Sequence, residues 1–271
     1  MAEESPEPVR RATPYLSQFL GSAFRDAQEG RLLAHVREGP LPQHLALIMD
    51  GNRRFARDHG LLVELGHERG RDKLEELLNW CLEIGLRILT VYALSTENLR
   101  RPKEELEPLF HLFERSFNEI AVDERVHRHG IRVRAIGNRA FLPPDVVRAI
   151  ETAEAATERY DRYYYNVAIA YGGREEILHA IRELAEEVRA GRLQPEQITS
   201  ELVSAHLYTA QLPDPDLVFR TSGEERISNF LLWQSAYAEL YFADVMWPGL
   251  TKLDFLRAIR DFQIRRRRYG T

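Results

Sequence analysis

A strand-like run that ends in an acid, a glycine and two arginines is the feature of this chain best suited to chemistry. Residues 45–49 are all apolar, and Asp50, Gly51 and Asn52 interrupt the run before a basic segment begins at Arg53. A short, continuous apolar run of this kind predicts a strand that is buried on both faces. Ligands of open α/β sheets bind outside the carboxyl ends of such strands, so we place a candidate site at Asp50.

The side chains of this turn could bind a diphosphate. Gly51 would let the backbone approach a phosphate closely, and the guanidinium groups of Arg53 and Arg54 could each fork onto phosphate oxygens. Asp50 could hold a hard cation such as Mg²⁺ between those oxygens. The same residues also suit a strand, a turn and a solvated basic helix, because short acid–glycine turns are common. Both interpretations stay open at this point.

Two further polar segments follow predicted strands. Residues 95–98 read Ser-Thr-Glu-Asn, with Arg101 close behind, and could orient a diphosphate and a proton transfer, although such a string is usually a helix cap. Arg220, Arg226 and Ser228 surround a glycine turn after a later strand. Two arginines beside a flexible turn can each bind phosphate oxygens, so this segment is the stronger anion-binding candidate.

Two isolated polar residues each have two interpretations. His67 suits the edge of a core as well as it suits a phosphate donor. Glu239 is either an ordinary solvated acid or a second metal ligand. The residues alone do not choose between these roles.

The composition favours a single domain and argues against several classes of protein. A chain of 271 residues with 44% hydrophobic residues can build one substantial core. The net charge of −5 argues against general nucleic-acid binding, which needs a basic surface. The single cysteine, Cys81, excludes an internal disulfide framework.

We expect a cytoplasmic protein. The N-terminus lacks the basic and then apolar pattern of a secretory signal. No apolar stretch approaches the ~20 residues that span a bilayer. Any membrane contact is therefore expected to be peripheral.

The N-terminal region is predicted to differ from the rest of the chain. Residues 1–13 contain prolines among charged residues, which predicts a flexible tail. Residues 14–43 are predicted to form an amphipathic helix. Its apolar stripe comprises Tyr15, Leu16, Phe19, Leu20, Ala23 and Phe24. Packing on the parent domain or a partner subunit and lying on a membrane surface are both compatible with this stripe.

The remaining chain, residues 44–271, alternates between strand and helix patterns. Strands are predicted at 45–49, 87–94, 131–136, 164–170, 217–219 and 240–242. Helices are predicted at 66–84, from 102 to about 130, from 143, at 175–189 and at 253–264. This alternation predicts a single α/β domain with a mostly parallel sheet of about six strands, flanked by helices on both faces.

Four segments together resemble the cis-prenyltransferases, the undecaprenyl diphosphate synthase family. They are MDGNRRFA at 49–56, STENLRRP at 95–102, NVAIAYGGR at 166–174 and RTSGEERISNFLLWQ at 220–234. The resemblance extends in order over roughly residues 44–270. It implies a homodimeric α/β enzyme with a hydrophobic tunnel beneath the sheet edge. It also implies Mg²⁺-dependent addition of isopentenyl diphosphate to an allylic diphosphate, farnesyl or geranylgeranyl diphosphate, which would yield a polyprenyl diphosphate precursor of a lipid carrier.

The resemblance also implies roles for individual residues. Asp50 matches the essential metal-coordinating aspartate, Glu239 a metal ligand reached across the dimer, and Asn98 the residue that assists removal of the isopentenyl proton. Substrate contacts on the allylic side or in support of it are implied for Gly51, Asn52, Arg53, Arg54, Phe55, His67, Ser95, Thr96, Glu97, Leu99 and Arg101. The isopentenyl diphosphate pocket is implied for Arg220, Arg226, Ile227 and Ser228, and a C-terminal contact for Arg268 and Gly270.

The chain departs from the family pattern at three positions. Val63 stands where bacterial members usually have a substrate-contacting arginine, so a phosphate contact is either missing or supplied by Arg53. Phe55 replaces the more usual tryptophan and keeps an aromatic side chain. Glu225 replaces a histidine sometimes found near the metal, which puts the details of metal coordination in doubt.

Product length and two rival functions complete the predictions. Small Ala93 favours a roomy tunnel, whereas Tyr163 is predicted to narrow its far end.

One alternative function is that of a non-catalytic partner subunit of a two-subunit cis-prenyltransferase, which has no need of a complete diphosphate site. Another is a phosphotransfer enzyme, which would need a nucleophile activated next to the phosphate, but Asp50 followed by Gly51 lacks a second positioned acid in the same loop.

Overall fold

A six-stranded parallel sheet organises the part of the chain that the structure describes. The computed structural model describes the backbone of residues 14–266 and the side chains of residues 26–265. The strands are β1 (His44–Ile48), β2 (Ile88–Ser95), β3 (Ile131–Ile136), β4 (Tyr163–Tyr171), β5 (Leu217–Arg220) and β6 (Glu239–Phe242). They lie in the order β3-β4-β2-β1-β5-β6, and every neighbouring pair is parallel. The predicted fold class and strand number are confirmed.

Helices connect the strands. They are α1 (Pro14–Glu38), α2 (Asn52–Asp58), α3 (Val63–Ile84), α4 (Lys103–Val122), α5 (Glu124–His129), α6 (Pro144–Thr157), α7 (Gly173–Arg189), α8 (Ser200–Ala205) and α9 (Lys252–Arg266). The helix predicted from 102 to about 130 is two helices, because Asp123 leaves the helical conformation and its carboxylate accepts the N–H of Arg125 as the cap of α5. The short helix α8 was not predicted.

Strand β1 lies at the topological switch point of the sheet, where the strand order reverses. All five of its residues are buried. Strands β2, β4 and β3 lie on one side of it, and β5 and β6 lie on the other. Because all six strands are parallel, the loops after β1, β2, β4 and β5 meet at one edge. The fold therefore brings together the polar segments that the sequence analysis found far apart.

Helix α1 packs on its own domain over the part whose side chains are described. Val36 is fully buried in the main core, with Leu32 and Leu33 packed against it. Lys252 of α9 forms an ion pair with Glu29 at 2.9 Å. These contacts favour the packing interpretation for the C-terminal half of α1, which ends at Glu38 and so before the predicted boundary at residue 43.

Two other expectations for the N-terminal region have different outcomes. The predicted flexible tail, residues 1–13, lies outside the described residues. Among the helices within residues 14–266, none is long and apolar enough to cross a bilayer.

A buried hydrogen-bonded chain crosses the strands at their amino ends. The Nδ1 of His44 donates to the carbonyl of Pro213 at 2.7 Å, so Nε2 accepts from the hydroxyl of Thr90, also at 2.7 Å. The Thr90 oxygen in turn accepts from the amide of Asn166 at 3.1 Å. Burial lowers the pKa of His44 to about 4, against smaller raising effects of the Pro213 carbonyl and Asp216. The imidazole is therefore neutral near neutral pH.

We predict that His44 makes the protein less stable in acid. Between pH 6.5 and 4 the unfolded chain binds a proton at His44 that the folded chain excludes, so the free energy of unfolding falls as pH falls. The loss from this residue reaches about 3 kcal/mol by pH 4. Urea unfolding of the wild type and His44→Gln at several pH values between 7 and 4 measures it. Equal pH dependence of the two proteins would show that His44 contributes nothing.

Candidate active site

The backbone of Asp50 is held by residues that follow two other strands. The hydroxyl of Thr221 donates to the Asp50 carbonyl at 2.8 Å and accepts from the Asp50 N–H at 3.0 Å. The N–H of Trp247 donates to the same carbonyl at 2.9 Å. The sequence analysis missed Thr221, and the available signal was its position directly after Arg220.

Gly51 turns the chain sharply into α2. Its φ of +106° is a conformation that residues with a side chain rarely adopt. A Cβ placed there would also lie 3.0 Å from the Cβ of Met246. This turn carries Arg53 and Arg54 from the end of β1 to the rim of the cleft described below.

Arg220 joins the candidate residues from distant loops. It is 4% exposed, and its Nη2 donates to the Oδ2 of Asp50 at 2.7 Å. Its Nη1 donates to the carbonyl of Arg226 at 2.5 Å and to the hydroxyl of Ser228 at 2.7 Å. A charge-assisted bond at this depth is strong, and loss of Asp50 would leave the buried guanidinium of Arg220 without an anionic partner. The Asp50 turn and the predicted isopentenyl diphosphate pocket are therefore one structural unit.

The other arginines of the site are paired with acids. Glu105 lies 2.9 Å from Arg101 and 3.5 Å from Arg53 in nitrogen-to-oxygen distance. Glu224 lies 3.3 Å from Arg54 and also forms an ion pair with Arg226. These carboxylates balance the positive charge of the cleft, and an incoming anion has to compete with them for the arginines.

Asn98 lies in a short 3₁₀ helix, Glu97–Arg100, that follows β2. Its N–H donates to the Ser95 hydroxyl at 3.1 Å, and its Oδ1 accepts from the Ser95 N–H at 3.3 Å. The segment is thus a capped turn, as the bland interpretation expected. Asn98 and Ser95 nevertheless line the cleft, so the two interpretations are compatible.

A cleft of about 1040 Å³ opens at the carboxyl edge of the sheet. The predicted site residues that line it are Asp50, Gly51, Asn52, Arg53, Arg54, His67, Ser95, Glu97, Asn98, Arg101, Arg220, Arg226 and Ser228. Val63 lines it as well, so no arginine is available at that position, while Arg53 faces the same space. Lining residues that the sequence analysis missed include Arg57, Leu61, Tyr92 and Asn229. Arg57 could have been found from its helical spacing to Arg53 and Arg54.

Several predicted contacts do not line the cleft. Phe55 stacks on His59, with ring centroids 4.1 Å apart. Leu99 packs against the main core and Ile227 against a smaller core on the other face of the sheet. The N–H of Thr96 donates to the carbonyl of Tyr171, the last residue of β4. These four residues contact other parts of the fold and are not among those that line the cleft.

Glu239 lies far from Asp50 within one chain. It is the first residue of β6 and pairs with Leu217 at the amino end of β5, whereas Asp50 lies beyond the carboxyl ends. Its carboxylate accepts from Arg265 at 3.3 Å. Among residues 26–265, no group of three or more His, Cys, Asp or Glu side chains could hold a metal ion. Arg268 and Gly270 lie outside the described residues.

A second cavity of about 350 Å³ adjoins the cleft and lies between α3, α4 and the sheet. Both cavities are lined by Met49, Asn52, His67, Ala93 and Leu109. The inner walls are mostly apolar and include Leu74, Leu78, Leu82, Val91, Leu112, Phe113, Phe117, Ile120, Val126, Ile131, Tyr165, Val167 and Trp247. Tyr165 lines this cavity, whereas Tyr163, predicted to narrow the far end of a tunnel, does not line it.

His67 lies where the two cavities meet. Burial, reinforced by the charge of Arg101, lowers its pKa to about 4, and the nearby Glu105 raises it less. The imidazole is therefore neutral near neutral pH. Its Nε2 is buried without a hydrogen-bond partner among the described residues.

The site defines a class of ligand. Six arginines line the cleft beside Asp50, and the adjoining cavity is apolar. Guanidinium groups bind phosphate oxygens, and an apolar cavity takes a hydrocarbon. The protein therefore belongs to the class of proteins that bind an amphiphilic ligand with an anionic head group and an apolar chain.

Comparisons with known proteins agree with this class. The family model described as putative undecaprenyl diphosphate synthase matches residues 48–270. The chain is 57% identical over 235 residues to tritrans,polycis-undecaprenyl-diphosphate synthase (geranylgeranyl-diphosphate specific) of Methanopyrus kandleri, over 87% of each chain. It is 54% identical over 262 residues to the Pyrococcus horikoshii protein of the same name, over 97% of this chain and 99% of that one. A solved structure of lavandulyl diphosphate synthase from Lavandula x intermedia, in complex with dimethylallyl diphosphate, is similar with a TM-score of 0.77 and 33% identity, over 82% of this chain and 95% of that one.

The chain belongs to the undecaprenyl diphosphate synthase family of cis-prenyltransferases, as its motifs indicated. It is a prenyl-transferring enzyme. Relatives that match almost the whole chain are themselves named synthases, which favours the enzyme over the non-catalytic partner subunit.

Proposed function

We propose that the enzyme adds isopentenyl diphosphate to geranylgeranyl diphosphate and makes a polyprenyl diphosphate that serves as the precursor of a lipid carrier. The observation that carries this proposal is that the arginine-lined cleft adjoins the apolar cavity, with His67 and Ala93 lining both. Geranylgeranyl diphosphate is preferred to farnesyl diphosphate as the starter because the Methanopyrus kandleri and Pyrococcus horikoshii relatives are named as specific for it.

The arginines would serve both binding and catalysis. Diphosphate oxygens would replace the carboxylates of Glu105 and Glu224 as partners of the arginines around them. As the allylic carbon–oxygen bond breaks, negative charge grows on the leaving diphosphate, and fixed guanidinium groups stabilise it. Asn98, in the 3₁₀ helix that follows β2, lines the cleft and is proposed to assist removal of the isopentenyl proton.

Mg²⁺ would fit a site made of Asp50, substrate phosphates and a carboxylate from a second copy of the chain. This ion is commonly held by one or two carboxylates together with substrate phosphates and water. Asp50 supplies one carboxylate at the cleft. Glu239 of a second copy of the chain is proposed to supply another. When bound, the ion would neutralise charge on the diphosphate.

The apolar cavity is the proposed hydrophobic tunnel. It begins at Ala93, beside the cleft, and extends between α3 and α4 to Val126, Ile131 and Tyr165. A growing hydrocarbon chain would remove these apolar walls from water, which stabilises the complex. Tyr165 is therefore the proposed floor that limits product length.

A homodimer is part of the proposal. Strand β6 lies at the edge of the sheet. Tyr237, just before it, is fully exposed, and Leu240 within it is 38% exposed. An exposed strand edge with apolar side chains is a surface that another chain can cover. Sedimentation equilibrium is expected to give twice the mass of one chain. A monomer at the concentration of the activity assay would contradict this.

The site of action is proposed to be the cytoplasm, beside the membrane that takes up a long polyprenyl product. Such a product is too apolar to remain in water. Cell fractionation tests this placement, which an enzyme found outside the cytoplasm would contradict.

The phosphotransfer alternative is less favoured, because Asp50 is engaged by Arg220 and Arg54 and no second acid of its own turn accompanies it.

The main prediction concerns chain elongation. Purified enzyme with labelled isopentenyl diphosphate, Mg²⁺ and geranylgeranyl diphosphate is expected to give long labelled chains. Asp50→Ala should lower turnover by roughly 100-fold or more, because the carboxylate beside the diphosphate is lost. Its circular dichroism spectrum should still be that of the folded protein at the assay temperature, with a lower melting temperature because Arg220 loses its anionic partner. Asp58→Ala, which removes an exposed acid at the end of α2, the helix that follows Asp50, is the matched control.

Two outcomes would count against that prediction. Wild-type turnover in Asp50→Ala would overturn the role of Asp50. No incorporation by the wild type with dimethylallyl, geranyl, farnesyl or geranylgeranyl diphosphate would revive the partner-subunit alternative.

The floor of the cavity yields a prediction on product length. Tyr165→Val should lengthen the product by at least one isoprenyl unit, because it removes the aromatic ring from the cavity wall and keeps a residue that favours strands. Tyr163→Val, two residues earlier on the same strand, should leave the length unchanged. Product sizing by chromatography decides between them. Longer chains from the Tyr163 variant alone would restore the original expectation.

A further inference from the structure

Asn229 has contacts that the proposed function does not use. It follows Ser228 directly, and its φ is +63°, a conformation that asparagine tolerates better than most residues. Its Nδ2 donates to the Oε1 of Glu97 at 3.0 Å and to the Oε2 of Glu175 at 3.2 Å. Its Oδ1 accepts from the N–H of Arg174 at 2.9 Å. One amide group therefore bonds to two other segments of the chain.

These two segments and Asn229 itself lie in the regions that follow three different strands. Glu97 follows β2 and is adjacent to Asn98. Glu175 and Arg174 lie in the first turn of α7, after β4. Asn229 itself follows β5, next to the serine that binds Arg220. The amide thus links the loop of the proposed proton-transfer residue to the pocket proposed for isopentenyl diphosphate.

The packing around Asn229 leaves little room for adjustment. A Cβ on Gly172 would lie 2.8 Å from the Nδ2 of Asn229 and 2.7 Å from the Oγ1 of Thr96. The backbone carbonyl of Asn229 also accepts the N–H of Gly173 at 2.7 Å. The loops after β2, β4 and β5 therefore touch directly at this point, and a change in one contact is transmitted to its neighbours.

We propose that Asn229 is a positioning residue that sets the distance between Asn98 and the Arg220–Ser228 pocket, so that the isopentenyl group held by the pocket reaches the proton-transfer residue. This inference rests on the proposed function. Asn229 acts through Glu97 on one side and through Ser228 on the other. A shift of about 1 Å between such groups can lower a rate by roughly 100-fold.

The charges around Asn229 make its amide nitrogen essential to this role. Burial raises the pKa of Glu97, but hydrogen bonds from its own backbone N–H, from Ser95 and from Asn229 outweigh it and hold the pKa below the usual range. Glu97 is therefore ionised near neutral pH, and Glu175 brings a second carboxylate to the same nitrogen. A carboxylate in place of the amide would face two like charges at hydrogen-bonding distance.

The first test is Asn229→Asp, which keeps the shape, the tolerance of positive φ and an acceptor for the Arg174 N–H. Elongation kinetics should show kcat reduced roughly 10-fold or more with KM for both diphosphates changed less than about 3-fold, because binding groups stay and their alignment is lost. The melting temperature should remain within a few degrees of the wild type. Asn229→Gly, which also tolerates the φ, should show the same loss of kcat.

The decisive test restores the link with its polarity reversed. In Asn229→Asp with Glu97→Gln, the amide of residue 97 can donate to the carboxylate at 229, and kcat should return to at least about a third of that of Glu97→Gln alone. In Asn229→Asp with Glu175→Gln, the like charge is relieved equally but the loop after β2 stays detached. This double variant should therefore keep the low kcat, measured against Glu175→Gln alone. If Asn229→Asp does not fold, the two double variants make the same comparison.

The outcomes separate this inference from the proposed function. Elongation by the wild type with an unchanged kcat in Asn229→Asp would overturn the positioning role alone. Equal rescue by both double variants would also overturn it, because charge relief and not the link would then matter. Failure of the wild type to elongate any starter would instead overturn the proposed function.

Discussion

The ion pair between Asp50 and Arg220 is the interaction on which the rest of the site depends. Ile48 of β1 and Arg220 of β5 are paired residues of neighbouring parallel strands. Asp50, two residues after Ile48, therefore lies at the same edge of the sheet as Arg220. Arg220 is almost completely buried, and a buried guanidinium without an anionic partner is strongly destabilising. The pair therefore ties the geometry of the candidate site to the stability of the fold.

The parallel topology explains why one molecule can bind both parts of an amphiphile. Polar loops gather where the strands end, and the apolar side chains earlier in the same strands line the cavity below. On β2, Ala93 faces the cavity and Ser95 faces the cleft, only two residues apart. A ligand that crosses this boundary passes from arginines to apolar walls within one two-residue repeat of the strand.

Electrostatic balance is a second theme of the cleft. Glu105 and Glu224 pair with the arginines, and His67 is kept neutral by burial and by nearby guanidinium groups. A cleft arranged in this way exchanges one set of anions for another, so the arginines need little reorganisation when a diphosphate binds. The same principle places Asn229 between two carboxylates, where its amide bonds to both.

The sequence by itself determined the strands, most helices and the residue types of the site, because periodicity, turn residues and motif spacing are local properties. Asp50, Asn98, Arg220 and Ser228 were all identified in this way. Tertiary structure decided which of them meet: it put Phe55 on His59, kept Glu239 at the opposite end of the sheet, and replaced Tyr163 with Tyr165 as the cavity wall. It also revealed Thr221 and Asn229, whose roles arise from contacts with residues more than 130 positions away. Strand order and register set such contacts, and no local pattern encodes them.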